Sequence, residues 1–351
     1  MASKTTGVIR ANDHTVSSIG QPVFRRHDLS EVNLALFNDV KSTRTILRDS
    51  LRKIGFRPLN TKIVGVLGNL RSAVRQDGID MLILEADRQP QAVHDLVRAI
   101  RSGTLGSNPF LVISIVTWRP DKERIVSFLK AGADDVIVMP ASVGFASERV
   151  DSLIDNRHKF VVTTKYLGPD RRLRSRTTVD ELGTILVPNG LRFKTMGDES
   201  AKPNGARLRR IGRVVDDHRL RRMTVRLEAL SGQLESAFRE QPDARPEAED
   251  MRELPELVSQ IALLARDGGR MKAAELIASL RAVMQAIEGA AEMHANMFAL
   301  LQVYGQALLA LQRGDKAASE LVVRAVRTAA KVVGDRTRRE SGVMVNAAIR
   351  I

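Results

Sequence analysis

The sequence predicts an α/β fold, a five-stranded doubly wound parallel sheet, followed by an all-α C-terminal region. Three observations predict it. Short apolar runs alternate with amphipathic segments from residue 32 to residue 155. Runs such as Met81-Leu82-Ile83-Leu84 and Phe110 to Val116 show no polar alternation, as expected of strands covered on both faces. Beyond residue 207 strand signals stop, and Ala, Leu, Glu, Arg and Gln dominate.

The elements follow in order. Residues 1–29 are polar and irregular and are read as a disordered arm. Val32 to Phe37 is a buried first strand ending at Asn38-Asp39. Ser42 is placed to cap a helix whose apolar positions include Ile46, Leu47, Leu51 and Ile54, and Gly55 ends it. Lys62 to Val66 is a weaker second strand, and Asn69 to Gln76 a short helix. Asp80 to Leu84 is the third strand. Helix three, Gln91 to Arg101, turns Val93, Leu96, Val97 and Ile100 inward. A strand at 110–116, a helix at 121–131, a strand at 135–138 and a helix at 142–155 complete the unit. Strands alternating with helices in this way imply a parallel sheet. Its ligand cleft would lie outside the carboxyl ends of the strands. Glu85, Thr117 and Met139 stand at three of those ends.

The C-terminal region divides into five expected helices, near 208–240, 249–266, 270–288, 291–312 and 315–333, with glycines at the turns. Leu254, Leu257, Val258, Ile261 and Leu264 form one apolar stripe, and Leu300, Val303, Leu308 and Leu311 contribute to another. Gly269 to Leu276 and Gly314 to Leu321 begin alike, which suits either paired helical hairpins or a bundle. The long first helix is open to pairing with a second copy.

Composition narrows the function. The 351 residues contain no cysteine, which excludes disulfides, thiol catalysis and cysteine metal sites and is compatible with a cytoplasmic protein. No apolar run is long enough to span a bilayer, so no membrane role is expected. No Gly-rich phosphate loop, nucleophile–histidine pair or metal-ligand spacing supports an independent enzyme. The formal charge is +14, which favours acidic partners. Between Arg157 and Arg226 stand 18 Lys and Arg against 7 Asp and Glu, a net of +11.

The segment Asp39 to Phe56 and the run Lys130-Ala-Gly-Ala-Asp-Asp135 are similar to the first helix and the approach to strand five of two-component response regulator receiver domains, the CheY-like family. Asn108-Pro-Phe110, Thr117-Trp118 and Tyr166 to Arg172 resemble an alphaproteobacterial subgroup of that family. The resemblance covers about residues 30–195. It implies a pocket in which an acidic pair and an acceptor Asp hold Mg²⁺ while a Thr and a Lys contact the phosphoryl group. In this sequence the pair is Asn38 and Asp39, the acceptor position holds Glu85, Thr117 matches, and Met139 replaces the lysine before Pro140. Met139 offers phosphate neither charge nor donor. Val136 stands where an aromatic switch is usual. The resemblance therefore implies a degenerate receiver independent of phosphorylation, with Mg²⁺ at Asp39 and Glu85 weak or absent and no other cofactor. Glu85 either holds an active-like state or sits in a relict pocket. Phosphorylation at Glu85 or Asp87 is the alternative; Asp87 lies on Glu85's side of the strand but past its end.

The expected architecture is a receiver-like domain at 30–157, a basic linker at 158–206 and a helical domain at 207–351. The expected partners are signalling proteins, among them a histidine kinase or a chemotaxis-type component. A second reading uses the basic stretch 171–226 to bind nucleic acid, although only Tyr166 and Phe193 are near for base stacking. His294 lacks the Lys-Gly that follows a phosphotransfer histidine, so Met293, Met297 and Phe298 read more simply as core residues.

Overall fold

A computed structural model describes residues 27–172, 183–241, 248–267, 271–288, 295–314 and 320. The arm up to residue 26, Arg174, Arg176, His294 and most of the helix expected at 315–333 lie outside these described residues, as does most of the second of the two similar helix starts.

Five strands, β1 (Leu34–Phe37), β2 (Thr61–Val64), β3 (Met81–Glu85), β4 (Val112–Thr117) and β5 (Asp135–Val138), form one parallel sheet in the order β2-β1-β3-β4-β5. The helices between and after them are α1 (Lys41–Ile54), α2 (Leu67–Arg75), α3 (Pro90–Arg101), α4 (Lys122–Ala131) and α5 (Val143–Asp155). Alternation along the strands feeds two apolar layers. Ala35, Phe37, Leu82, Leu84, Ile113 and Ile115 pack under α2, α3 and α4. Leu34, Leu36, Met81, Ile83, Val112 and Val116 pack under α1 and α5.

One helix start differs from expectation. Val40, not Ser42, is the N-cap of α1, and it caps with no side-chain bond. The Asn38 side chain just ahead accepts the Val40 N–H at 2.7 Å instead. α4 and α5 are capped by side chains: Asp121 accepts from Glu123 N–H and Ser142 from Phe145 N–H.

The stretch expected as a basic linker is not an open tether over its described part. It holds β6 (Phe160–Val162) antiparallel to β7 (Leu167–Pro169), then α6 (Gly190–Met196). The reason is a buried acid at the amino end of β5. Asp134 accepts from Arg101 and from Arg157 at 2.8 Å each, and from the Ile113 N–H. The Phe160 ring lies between the two guanidinium groups, 5.1 and 5.0 Å from its centroid. Arg171 donates to the Ala133 and Asp134 carbonyls. Arg157 and Arg171, counted in the basic stretch, thus join Arg101 of α3 in fixing this segment under the sheet.

α7 (Gly205–Glu240) is a single 36-residue helix. Its first half packs Ile211 and Val215 against Phe110, Phe160, Val162, Leu167, Ile185 and Val187. Its second half joins α8 (Ala248–Asp267), α9 (Met271–Glu288) and α10 (Ala295–Arg313) around one core. α7 touches α8 and α10, and α9 touches the same two, so four helices close on themselves as a bundle. Leu254, Leu257, Val258, Ile261, Leu300 and Leu308 are buried in that core, and Phe298 stacks on Phe238. The apolar face of α7 is therefore covered within the chain. No helix among the described residues is long and apolar enough to cross a membrane.

Candidate functional site

The residues singled out in the sequence meet at the carboxyl edge of the sheet. Asn38 follows β1, Glu85 ends β3, Thr117 ends β4, and Met139 follows β5 and donates its N–H to the Thr117 carbonyl at 2.8 Å. Asn38, Glu85 and Thr117 are buried.

Their side chains are engaged with one another and with the loop β3–α3. Asn38 holds the turn into α1, accepting from Val40 N–H and donating to Thr43 Oγ1 at 3.0 Å. Asp39 accepts from Gln89 Nε2 at 3.1 Å, and Arg88 Nε lies 3.8 Å from the same oxygen. Asp39 Oδ1 is buried without a partner. Glu85 Oε1 accepts from the Asp87 N–H at 2.9 Å. Met139 is turned among Leu47, Leu51, Val143 and Ala146 in the layer under α1 and α5. Val136 packs against the opposite layer.

Asp87, which the sequence offered only as the alternative acceptor, is at the centre. Asp87 Oδ1 accepts from Thr117 Oγ1 at 2.5 Å, and Oδ2 accepts from the Trp118 N–H at 2.7 Å. Arg124 Nη1 of α4 stands 3.7 Å from Oδ1. Asp87 lies two residues past the end of β3, as its spacing implied, and the Thr117 hydroxyl and the Trp118 N–H reach it there. The signal for it was the period-two spacing from Glu85. Nothing in sequence spacing pointed to Arg124, which arrives from another helix. Its guanidinium stands near the acidic cleft that Met139 leaves without a cation.

Burial raises the Glu85 carboxyl above the usual range for glutamate, against the lowering effect of its bond from the Asp87 N–H and helped by the charges of Asp87 and Asp39. Glu85 thus favours its protonated form in this cleft more than an exposed glutamate does.

Mg²⁺, which the resemblance would bring, needs several hard oxygens in a near-octahedral set. Here Asn38 Oδ1, both Asp87 oxygens and Glu85 Oε1 already accept hydrogen bonds. Asp39 Oδ1 is left as a buried carboxylate oxygen without a partner. Among the described residues no group of three or more His, Asp or Glu side chains is placed to hold a metal ion. The donor set does not fit the ion.

The strand order β2-β1-β3-β4-β5, with its cleft at the carboxyl edge, decides the fold. The N-terminal unit has a CheY-like receiver fold. No protein-family model matches the chain, and no curated protein does. Among solved structures, a response regulator from Thermotoga maritima is 22% identical over 34% of this chain and 96% of its own, with a TM-score of 0.30. The chemotaxis protein CheY4 of Vibrio cholerae is 15% identical over 35% and 98%, with a TM-score of 0.31. The receiver domain of a sensor histidine kinase from Pseudomonas aeruginosa, with a magnesium ion in its active-site cleft, is 17% identical over 34% and 95%, with a TM-score of 0.30.

Proposed function

We propose that the chain is a signalling adaptor, an atypical response regulator whose receiver-like unit works without phosphotransfer and whose output is protein–protein interaction through the helical bundle. One observation carries this reading. The Thr117 hydroxyl, which the resemblance would turn to a phosphoryl group, and the adjacent Trp118 N–H are both bonded to the Asp87 carboxylate. The cleft contains its own anion, with Arg124 beside it as cation. Phosphoryl transfer relies on positioning and charge neutralisation at an open acceptor. An acceptor whose oxygens are bonded on both sides is a poor nucleophile for it. The internal anion is Asp87 rather than Glu85, which refines the expectation of an active-like state.

The nucleic-acid reading is less favoured, because much of the basic stretch is engaged within the chain. Arg171 binds carbonyls, Arg172 and Arg192 pair with Asp170 and Asp198, and Arg226 pairs with Glu253.

The reading is tested by incubating the intact protein with acetyl phosphate and Mg²⁺, followed by intact-mass measurement and peptide mapping. An unmodified chain is the expected result. A stoichiometric phosphoryl adduct on Asp87 or Glu85 rejects it.

A further inference from the structure

We infer that a groove beneath the sheet, at the opposite end from the acidic cleft, docks an acidic segment of a partner protein. The inference stands independently of how the receiver cleft works. The groove has a cavity volume of about 390 Å³ and runs between the α3–β4 loop and the first half of α7. One face of α7 forms its wall: Gly205, Leu208, Arg209, Gly212, Val215 and Arg219 recur at helical spacing. From Gly205 to Arg219 that wall is about 21 Å long, the span of roughly six extended residues. Leu208 is the partly exposed apolar residue of the groove, over Phe110, Leu167 and Val215, which are buried beneath it. Open space stands beside two of its glycines: a Cβ at Gly103 or Gly212 would meet nothing within 4 Å.

Charge identifies the occupant. Arg209 and Arg219 have no hydrogen bond or ion pair among the described residues, unlike the arginines that bolt β6 and β7 in place. Asp216, the carboxylate on this wall, is itself engaged. Two unpaired guanidinium groups beside the apolar Leu208 match a short segment with apolar side chains between carboxylates, and the chain's charge of +14 would steer such a partner in.

The test uses the full chain and a fluorescein-labelled hexapeptide of two leucines flanked by glutamates, read by fluorescence anisotropy over a salt series. The expected result is saturable binding that weakens with salt, while the lysine counterpart does not bind. The double variant Arg209→Glu/Arg219→Glu should lose affinity about tenfold or more. Arg210→Glu/Arg213→Glu makes the same change of charge on α7 away from the groove and should keep most of it. Gly212→Phe fills the groove without changing charge and should also abolish binding. Absence of binding to the wild-type chain, or equal loss in the two double variants, overturns the proposal. A mixed-sequence DNA duplex is a further arm: if it displaces the peptide through Arg209 and Arg219, nucleic acid is the occupant and the proposal fails.

Discussion

At the scale of single residues, Asp87 should matter more than its surface-loop position suggests. Asp87→Ala leaves the Trp118 N–H without its acceptor and the Thr117 hydroxyl with only the longer bond to the Arg119 carbonyl at 3.2 Å. It should cost about 2–3 kcal/mol in urea unfolding, as charge-assisted bonds of this kind do. Asp87→Asn keeps an acceptor and should cost less. A second carboxylate reports through pH. Burial raises Asp80 from 3.8 to about 6, against the lowering effect of its bond from the Asn33 N–H and the charge of Lys194. A raised acid stabilises the fold most when protonated. Its contribution is full below about pH 3.8 and is lost as pH rises through about 6. Relative to Asp80→Asn, the wild-type chain should therefore lose roughly 2–3 kcal/mol between about pH 3.5 and pH 7. Chemical unfolding of the two proteins across that range checks the sign; a parallel pair of curves contradicts it. Asn38, Asp39, Glu85, Thr117 and Met139 were all legible in the sequence as strand-end positions, because strand ends follow from apolar runs. Asp87 was legible as a residue on Glu85's side past the strand end, but its bonds to Thr117 and Trp118 were not, because a strand's period says which side a residue leaves on and not which donors the next strand brings to it.

At the scale of elements, two glycines make opposite predictions. Gly190 starts α6 directly against Asp80, and a Cβ there would stand 2.9 Å from the Asp80 carboxylate and 3.3 Å from its Cα. Gly190→Ala must push α6 off the sheet end and should cost about 1–3 kcal/mol. Gly212 lies inside α7 with open space around it. Gly212→Ala should instead stabilise by about 0.5–1 kcal/mol through helix propensity alone. Thermal or urea melts of both variants decide the pair. The helices of the first half and of the bundle were legible from periodicity, and their ends moved by only a few residues. β7 and α6 were not. They are short, and their order comes from Asp134, Arg101 and Arg157, which meet across 56 residues of chain. Local patterns carry no trace of such a meeting.

At the scale of the whole molecule, a continuous α7 joins the underside of the receiver-like sheet to the core of the bundle, and the Asp134 network fixes the segment between them. Asp134→Ala would leave Arg101 and Arg157 buried without their counter-ion and should cost about 3–5 kcal/mol. It should also expose β6 and β7 to early proteolysis while the bundle stays resistant. The sequence divided the chain into a sheet unit, a basic linker and a helical unit, and charge counting alone made the middle look like a tether. The central claim, that Asp87 holds the place of an external phosphoryl group, has a direct probe, since Trp118 is the only tryptophan in the chain and donates to Asp87. Its fluorescence should be unchanged when inorganic phosphate or beryllofluoride is added to the wild-type protein. In Asp87→Ala, the freed donors should take up inorganic phosphate, with a saturable fluorescence change and recovered stability. A saturable response in the wild-type protein equal to that of Asp87→Ala would contradict the account.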